Sequence, residues 1–477
     1  MKEKITTNFI FNTIKTVMVV LFPLISFPYI SRVLGVEGIG KFQYCTSVIS
    51  YFTLFSSLGI NTYAIREAAK VRGDREKFTK FVKEIFSINM ITTALSYLGL
   101  LLFFMGGAFQ GKRMVMLVYS VSIIGNTLCI DWFYQALEQY VYISIRTTVI
   151  QALSLVLMFL FVKKESDILI YTLISVFSYK GYCFLNLYHA RKYVDIKKHF
   201  DLELRKHIKP ILIIFGATLA VSIYMNMDVV MLEYFCGDYQ VGLYSAAVKV
   251  NSVVKNILNS IGAVFLPRLV SYLAKGQREE YEKLFHQGTE LNLLLSVAST
   301  VGLFVLGKPI IEVFSGTKFL PAVFVGQILA IRLIFCALDN IFYNQVLIAT
   351  GNDKKAFIGT TIGAIANLIL NAILIPLFQG EGAAIATVIS EGTVFLYFVC
   401  STRRIVDLKL VVSGGLKYFV AAGVMGIILT EGMHIVHGAV LQLVVLVPIG
   451  AAVYFAVLGI IIFGKKHLIR ISDKKEQ

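Results

Sequence analysis

Apolar runs of about 20 residues, separated by short polar segments, follow one another along the whole chain. They fall near residues 9–31, 42–60, 84–106, 114–137, 141–162, 167–189, 210–233, 241–265, 288–308, 321–349, 356–377, 382–400, 415–436 and 439–464. A helix that crosses the hydrocarbon core of a bilayer needs about 20 mostly apolar residues. Each run therefore predicts one transmembrane helix, and the pattern predicts an all-α integral membrane protein with about 14 of them. The intervening loops are too short for a separate soluble domain. The first run, beginning near Phe9, has no small-residue cleavage site in the usual place and reads as a spanning helix rather than a removable signal.

Composition agrees: 57% of the residues are hydrophobic, 16% are charged, and the mean hydropathy is +0.74, whereas roughly a quarter of a soluble chain is charged. A net charge of +16 would by itself raise nucleic-acid binding; the positions of the bases answer it. With the N-terminus in the cytoplasm, the predicted cytoplasmic segments hold 30 of the 45 Lys and Arg, the outer loops hold 8, and 7 lie inside or at the edges of spans. The stretches Arg66–Lys83 and Arg191–Lys209 carry seven each. This is the positive-inside bias. It predicts an even number of spans with both termini cytoplasmic, and it makes the basic charge a topology signal, with no nucleic-acid partner.

Cys45, Cys129, Cys183, Cys236, Cys336 and Cys400 are scattered, which argues against a disulfide framework or a zinc site. His434 and His437 stand three apart but fall short of a ligand set. No metal or cofactor is expected.

The chain repeats itself. GVEGIGKF from Gly35 to Phe42 opens the second run, and GDYQVGLY from Gly237 to Tyr244 opens the eighth, 202 positions later. At the same offset Arg66 matches Arg268, and Gly73–Phe78 matches Gly276–Tyr281 with a shift of about one. Asp131 in the fourth run resembles Asp339 in the tenth. Two halves that start in the same orientation imply parallel repeats about an axis along the membrane normal. The expected domains are residues 1–209 and 210–404, each of six helices, and 405–477 with two further helices and a cytoplasmic tail.

The segment Phe27–Gly40 resembles the N-terminal signature of bacterial oligosaccharide flippases of the multidrug/oligosaccharidyl-lipid/polysaccharide exporter superfamily. Asn226–Leu232 with Val241–Ala247 is similar to its junction of spans seven and eight. Asn367–Pro376 with Gly382–Thr387 is similar to its pair of spans eleven and twelve. The resemblance covers nearly the whole chain. It implies two six-helix lobes around a central cavity, alternating between inward- and outward-open states in a bacterial plasma membrane. The implied cargo is an undecaprenyl-diphosphate-linked oligosaccharide, with polysaccharide polymerase and glycosyltransferases as partners beside the membrane lipids.

Moving a diphosphate and a hydrated glycan through an apolar core calls for cations that pair with the phosphates. Lys15, Arg146, Lys180, Lys249, Lys255 and Arg332 lie within predicted spans. Snorkelling toward the interface explains Lys15 and Arg146 about as well as a cavity does, because both lie near helix ends. Lys180, Lys255 and Arg332 are deeper, where a lipid-facing charge costs several kcal/mol. Lys249, Ser252, Asn256 and Asn259 fall at spacings of 3, 4 and 3 on one helical face, and Asn256 joins the candidates. Asp131, Asp228, Asp339 and Glu391 also lie in spans; each either neutralises a neighbouring cation or binds Na⁺ or H⁺ to couple transport to an ion gradient.

Pro23 and Pro28 are expected to interrupt the first span. The stretch Arg66–Glu84 is expected to lie at the cytoplasmic interface, with Phe78, Phe81 and Val82 against its basic residues. Gly and Ala in spans eleven and twelve predict close packing. Rival readings are a cation antiporter of the same superfamily and a flippase for the lipid-linked peptidoglycan precursor. An enzyme is disfavoured: the outer loops carry no Ser/His/Asp set, paired carboxylates or metal cluster, and the chain has no phosphate-binding P-loop.

Overall fold

The computed structural model describes residues 2–106, 111–195, 198, 200–403, 405–406 and 415–473, with residues 2–10, 12, 14–17, 19–20, 217, 220, 261, 263 and 463–473 described as backbone only. The described chain is helical, as a bilayer requires, because lipid offers no partner to a backbone N–H or C=O. In order, the helices are α1 (Lys2–Ser57), α2 (Ile60–Val71), α3 (Arg75–Met105), α4 (Arg113–Leu128), α5 (Asp131–Ala136), α6 (Tyr140–Phe161), α7 (Ile168–Lys180), α8 (Cys183–Ala190), α9 (Arg205–Ala274), α10 (Arg278–Val305), α11 (Gly307–Ser315), α12 (Ala322–Asn340), α13 (Asp353–Thr402), α14 (Leu416–Ile435) and α15 (Ala439–Asp473). A π-helical stretch, Ile341–Ile348, continues α12. Among the described residues, eleven helical stretches are long and apolar enough to cross a membrane.

Three of these stretches are very long and each breaks once. The break in α1 is at Gly35 (φ 68°, ψ −176°) and that in α9 is at Gly237 (φ 79°, ψ 179°). Both glycines adopt the same positive-φ, extended-ψ conformation, which a residue with a Cβ rarely reaches. They are the two positions that the sequence repeat aligns, so the duplication extends to backbone geometry. The break in α13 is at Gln379. The helix runs unbroken through Pro23 and Pro28, so the expected interruption at the prolines is corrected: the chain turns at Gly35.

The chain divides into two compact units, Met1–Glu233 and Tyr234–Gln477. In the first, α1 packs on α3, α4 and α6, and α2 packs on α5. In the second, α12 packs on α10 and α13, while α14 and α15 pair with each other and lean on α10 and α11. Polarity within the spans is the reverse of a soluble helix. On α3 the buried side holds Asn89, Thr92, Thr93 and Ser96, whereas Ile91, Leu95, Leu98, Leu101 and Leu102 are exposed. On α6, Ser144, Thr147, Gln151 and Ser154 are buried and Ile145, Val149, Leu153 and Leu160 are exposed. In water this would leave a large unpaired apolar surface; in lipid the apolar side meets its solvent and the polar side packs on other helices.

One local feature corrects the sequence reading. Phe78 and Phe81 are buried in an apolar cluster with Trp132, Phe133 and Ile143, so they anchor α3 to its own unit and not to the interface. The turn before α3 is built by Asp74, whose carboxylate accepts from the N–H groups of Lys77 and Glu76. Those donors, Lys77 first, hold the Asp74 carboxyl below the usual range. In α13 the expected close packing is present: a Cβ on Gly382 would stand 2.1 Å from the Leu374 carbonyl oxygen, and one on Gly363 2.3 Å from Val394.

Gly59 starts α2 at φ 74°, and a Cβ there would lie 2.8 Å from Ile214 and 3.2 Å from the Phe215 nitrogen. Left-handed backbone costs a residue with a Cβ roughly 1–2 kcal/mol, and overpacking adds about 1–3. Gly59→Ala is expected to destabilise the protein by about 2–5 kcal/mol in detergent. Gly73→Ala, where a Cβ meets nothing within 4 Å, should leave the thermal midpoint nearly unchanged. Equal midpoints for the two variants would refute the packing argument.

Candidate functional site

Seven of the charged candidates of the spans gather into two clusters, one in each unit. In the first unit, α4, the break at Cys129–Ile130, α6 and α7 bring together Lys180, Asn126, Asp131, Arg146 and Tyr182. Arg146 Nη2 donates to Asp131 Oδ1 at 2.5 Å, and Tyr182 OH donates to Asp131 Oδ2 at 3.1 Å. The Arg146 guanidinium lies over Tyr182, Tyr134 and Tyr142 at 4.2, 5.4 and 5.4 Å from the ring centres. Its side chain is 4% exposed, against 31% for Asp131. Cation–π contacts strengthen when desolvated, and here they replace the hydration that Arg146 gives up. Lys180 Nζ donates to Asn126 Oδ1 at 2.9 Å. Gly125 makes room for this lysine, because a Cβ there would stand 3.0 Å from the Lys180 Cβ and Cγ.

In the second unit, three helices supply the cluster: Lys255 from α9, Arg332, Cys336 and Asp339 from α12, and Glu391 from α13. Arg332 Nε donates to Glu391 Oε1 at 3.0 Å, and Lys255 Nζ stands 3.8 Å from the same oxygen. Cys336 Sγ donates to it at 3.2 Å. Asp339 is buried within electrostatic reach of Glu391 and Lys255, and neither of its carboxylate oxygens meets a donor. The cluster is neutral with both acids ionised and carries one net positive charge when they share a proton.

The remaining candidates lie apart from these clusters. Asp228 is buried within electrostatic reach of Tyr51. Lys249 is half-buried and Asn256 exposed on α9. On the same face Ser252 and Asn259 are half-buried, while Val250, Asn251 and Leu258 of α9 are buried. The side chain of Lys15 lies outside the described residues. Among the described residues, no group of three or more His, Cys, Asp or Glu could hold a metal ion.

Several contacts were not expected. Cys129 and Cys183 form a disulfide across the helix breaks after α4 and α7, which corrects the expectation of unpaired cysteines; their separation of 54 positions hid a contact made by helix packing. Glu84 is buried against His207 Nε2 at 2.9 Å and Lys206 Nζ at 3.1 Å, and His207 Nδ1 meets Tyr63 OH at 2.8 Å. Lys112 pairs with Glu233 and lies over the Tyr44 ring. Glu84 and Glu233 gave a signal in sequence, as acids at the first position of the third apolar run and the last position of the seventh.

Comparison with known proteins places the chain in a family. The family described as "Polysaccharide biosynthesis protein" matches residues 5–273, and the MatE family matches residues 214–373. A protein assigned as an O-antigen transporter in Escherichia coli (strain K12) is 27% identical over 81% of this chain and 94% of its own length. The capsular polysaccharide biosynthesis protein CapF of Staphylococcus aureus is 24% identical over 77% and 92%. Among solved structures, the lipid II flippase MurJ in an inward closed conformation superposes with a TM-score of 0.78 at 18% identity, covering 96% of this chain and all of the other. An inward-facing multidrug resistance MATE transporter gives 0.61 at 14% identity, covering 82% and 95%. At these identities the structures speak for the fold, while the sequence match over more than half the chain speaks for descent: this multi-pass membrane protein belongs to the polysaccharide biosynthesis protein family.

Proposed function

We propose that the chain is a flippase carrying an oligosaccharide linked to undecaprenyl diphosphate from the cytoplasmic to the outer face of a bacterial plasma membrane. The observation that carries this reading is the convergence of Arg332 and Lys255 on Glu391 inside the spans. A diphosphate in an apolar core must be met by charge-assisted hydrogen bonds, and a planar guanidinium beside an ammonium supplies them. Glu391 holds the same two cations when no cargo is present, so the diphosphate exchanges with a carboxylate and no cation is left bare at any stage. The polar stripe of Lys249, Ser252, Asn256 and Asn259 suits glycan hydroxyls. The names of the bacterial relatives, O-antigen transporter and capsular polysaccharide biosynthesis protein, fit this cargo.

The two units act as the lobes of an alternating-access cycle. At about 1.5 Å per residue, α1, α9 and α13 are each long enough to cross twice, giving fourteen crossings with both termini cytoplasmic, in line with the distribution of basic residues. Asp339 with Glu391 is the strongest pair for H⁺ or Na⁺ coupling, with Asp131 and Asp228 as further candidates. The chain acts as a transporter and not as an enzyme, and the polymerase and glycosyltransferases of the same polysaccharide are its partners.

Deleting the gene is expected to trap a diphosphate-linked oligosaccharide on the inner face, where an impermeant glycan-modifying reagent applied to spheroplasts cannot reach it. Wild-type protein should restore labelling. Normal labelling in the deletion strain would sink the flippase reading and direct attention to efflux of small cations, the activity of a multidrug antiporter.

A further inference from the structure

The first turns of α9 carry an open surface groove lined by Arg205, Ile208, Lys209, Leu212 and Ile213. All five belong to the first unit. Arg205 and Lys209 stand four apart and so share one face of the helix, with Ile208 between them in sequence and Leu212 and Ile213 one turn deeper. Ile208, Leu212 and Ile213 are 44%, 49% and 69% exposed. The neighbouring bases are engaged: Lys206 pairs with Glu84 and Glu203, and Lys80 with Glu203. Among the described residues, Arg205 and Lys209 meet no acidic partner. They end the basic segment that the charge distribution puts in the cytoplasm, immediately before the apolar run 210–233.

We infer that this groove binds one anionic glycerophospholipid of the cytoplasmic leaflet, its phosphate between Arg205 and Lys209 and its acyl chains over Ile208, Leu212 and Ile213. The charge pattern selects this occupant. Two unpaired cations at headgroup depth above exposed aliphatic side chains match an amphiphile that is anionic at one end and apolar at the other. A free phosphate would leave the aliphatic floor bare, and a zwitterionic lipid would bring its own cation to two others. A base near an anionic membrane surface contributes a factor of about five in association, the equivalent of about 1 kcal/mol, so the pair is worth about 25-fold. This site is independent of the cargo cluster and of the flippase reading.

The test is native mass spectrometry of the full chain in detergent, titrated with phosphatidylglycerol or with phosphatidylcholine of the same acyl chains. Wild-type protein is expected to retain one phosphatidylglycerol at concentrations where phosphatidylcholine is shed. Arg205→Gln with Lys209→Gln should weaken that adduct about 25-fold, while Arg205→Lys with Lys209→Arg should keep it within a few-fold. The control Arg66→Gln with Lys70→Gln makes the same charge change on bases already paired with Glu67 and should leave it intact. Equal retention of the two lipids, or equal loss in the control, would overturn the site in favour of a diffuse basic surface. Displacement of phosphatidylglycerol by undecaprenyl diphosphate at lower concentration would overturn it in favour of a cargo entrance. Thermal unfolding of each variant shows whether the chain is folded, and the charge-retaining variant reports on the site should the neutral one prove unstable.

Discussion

Alanine at both Lys255 and Arg332 is expected to slow delivery of the lipid-linked glycan to the outer face by at least about a hundredfold. A hydrogen bond to a charged group contributes about 1.5–3 kcal/mol. Two such contacts to a diphosphate amount to about 3 kcal/mol at the low end, and each 1.4 kcal/mol is a factor of ten. The measurement is the rate at which the glycan becomes accessible to the impermeant reagent, at matched protein levels. Removing both cations also leaves Glu391 and Asp339 side by side without a counter-charge. The triple variant that adds Glu391→Gln removes one of those carboxylates and should recover thermal stability without recovering transport. If transport returns with stability, the cations serve folding alone and the diphosphate is recognised elsewhere. Glu391→Gln by itself removes the carboxylate that competes with cargo, so it should bind inorganic pyrophosphate more tightly than wild type while exporting more slowly.

The second large effect is structural and lies in the other unit. Asp131→Ala strips the carboxylate from a guanidinium that is 4% exposed. Removing one partner of a buried ion pair costs about 3–5 kcal/mol because the other charge is left unpaired. Asp131 is itself about a third exposed, and three tyrosine rings already surround Arg146, so we expect a loss near the lower end, about 3 kcal/mol, in the thermal unfolding of detergent-solubilised protein. The double variant Asp131→Leu with Arg146→Met should recover much of it, since replacing both charges with apolar groups is often neutral. A double variant that is stable yet fails to export would give Arg146 a role in transport. One that is stable and active would make the pair an anchor of α5 and α6. Asp131→Ala protein as stable as wild type would show that the tyrosines alone satisfy the arginine.

Much of this architecture is written in the order of residues, because a bilayer imposes its demands locally. Apolar length sets where a helix spans, backbone hydrogen bonding permits little besides helix in lipid, and loop charge sets the expected direction of each crossing. The two breaks at Gly35 and Gly237 were legible too, since only glycine reaches that backbone conformation readily and the repeat marks both positions. The candidate residues were legible by type, because a charge within an apolar run stands out against its neighbours.

Tertiary structure alone decided which of those charges meet. Lys255, Arg332 and Glu391 stand on three helices and are separated by 59 to 136 positions; spacing along one helix says nothing about a neighbouring helix. The same holds for Cys129 with Cys183, for the tyrosines around Arg146 and for Glu84 with His207. The helix breaks at Ile130 and Gln379, both non-glycine residues at positive φ, gave no local signal, because their conformation is set by packing rather than by backbone preference. The chain's own chemistry determined a membrane-spanning helical protein with internal duplication. The packing of its helices determined that two cations answer to one carboxylate in one unit and that an arginine lies among tyrosines in the other, because a contact between helices depends on rotation and depth, which a one-dimensional hydrophobic pattern does not encode.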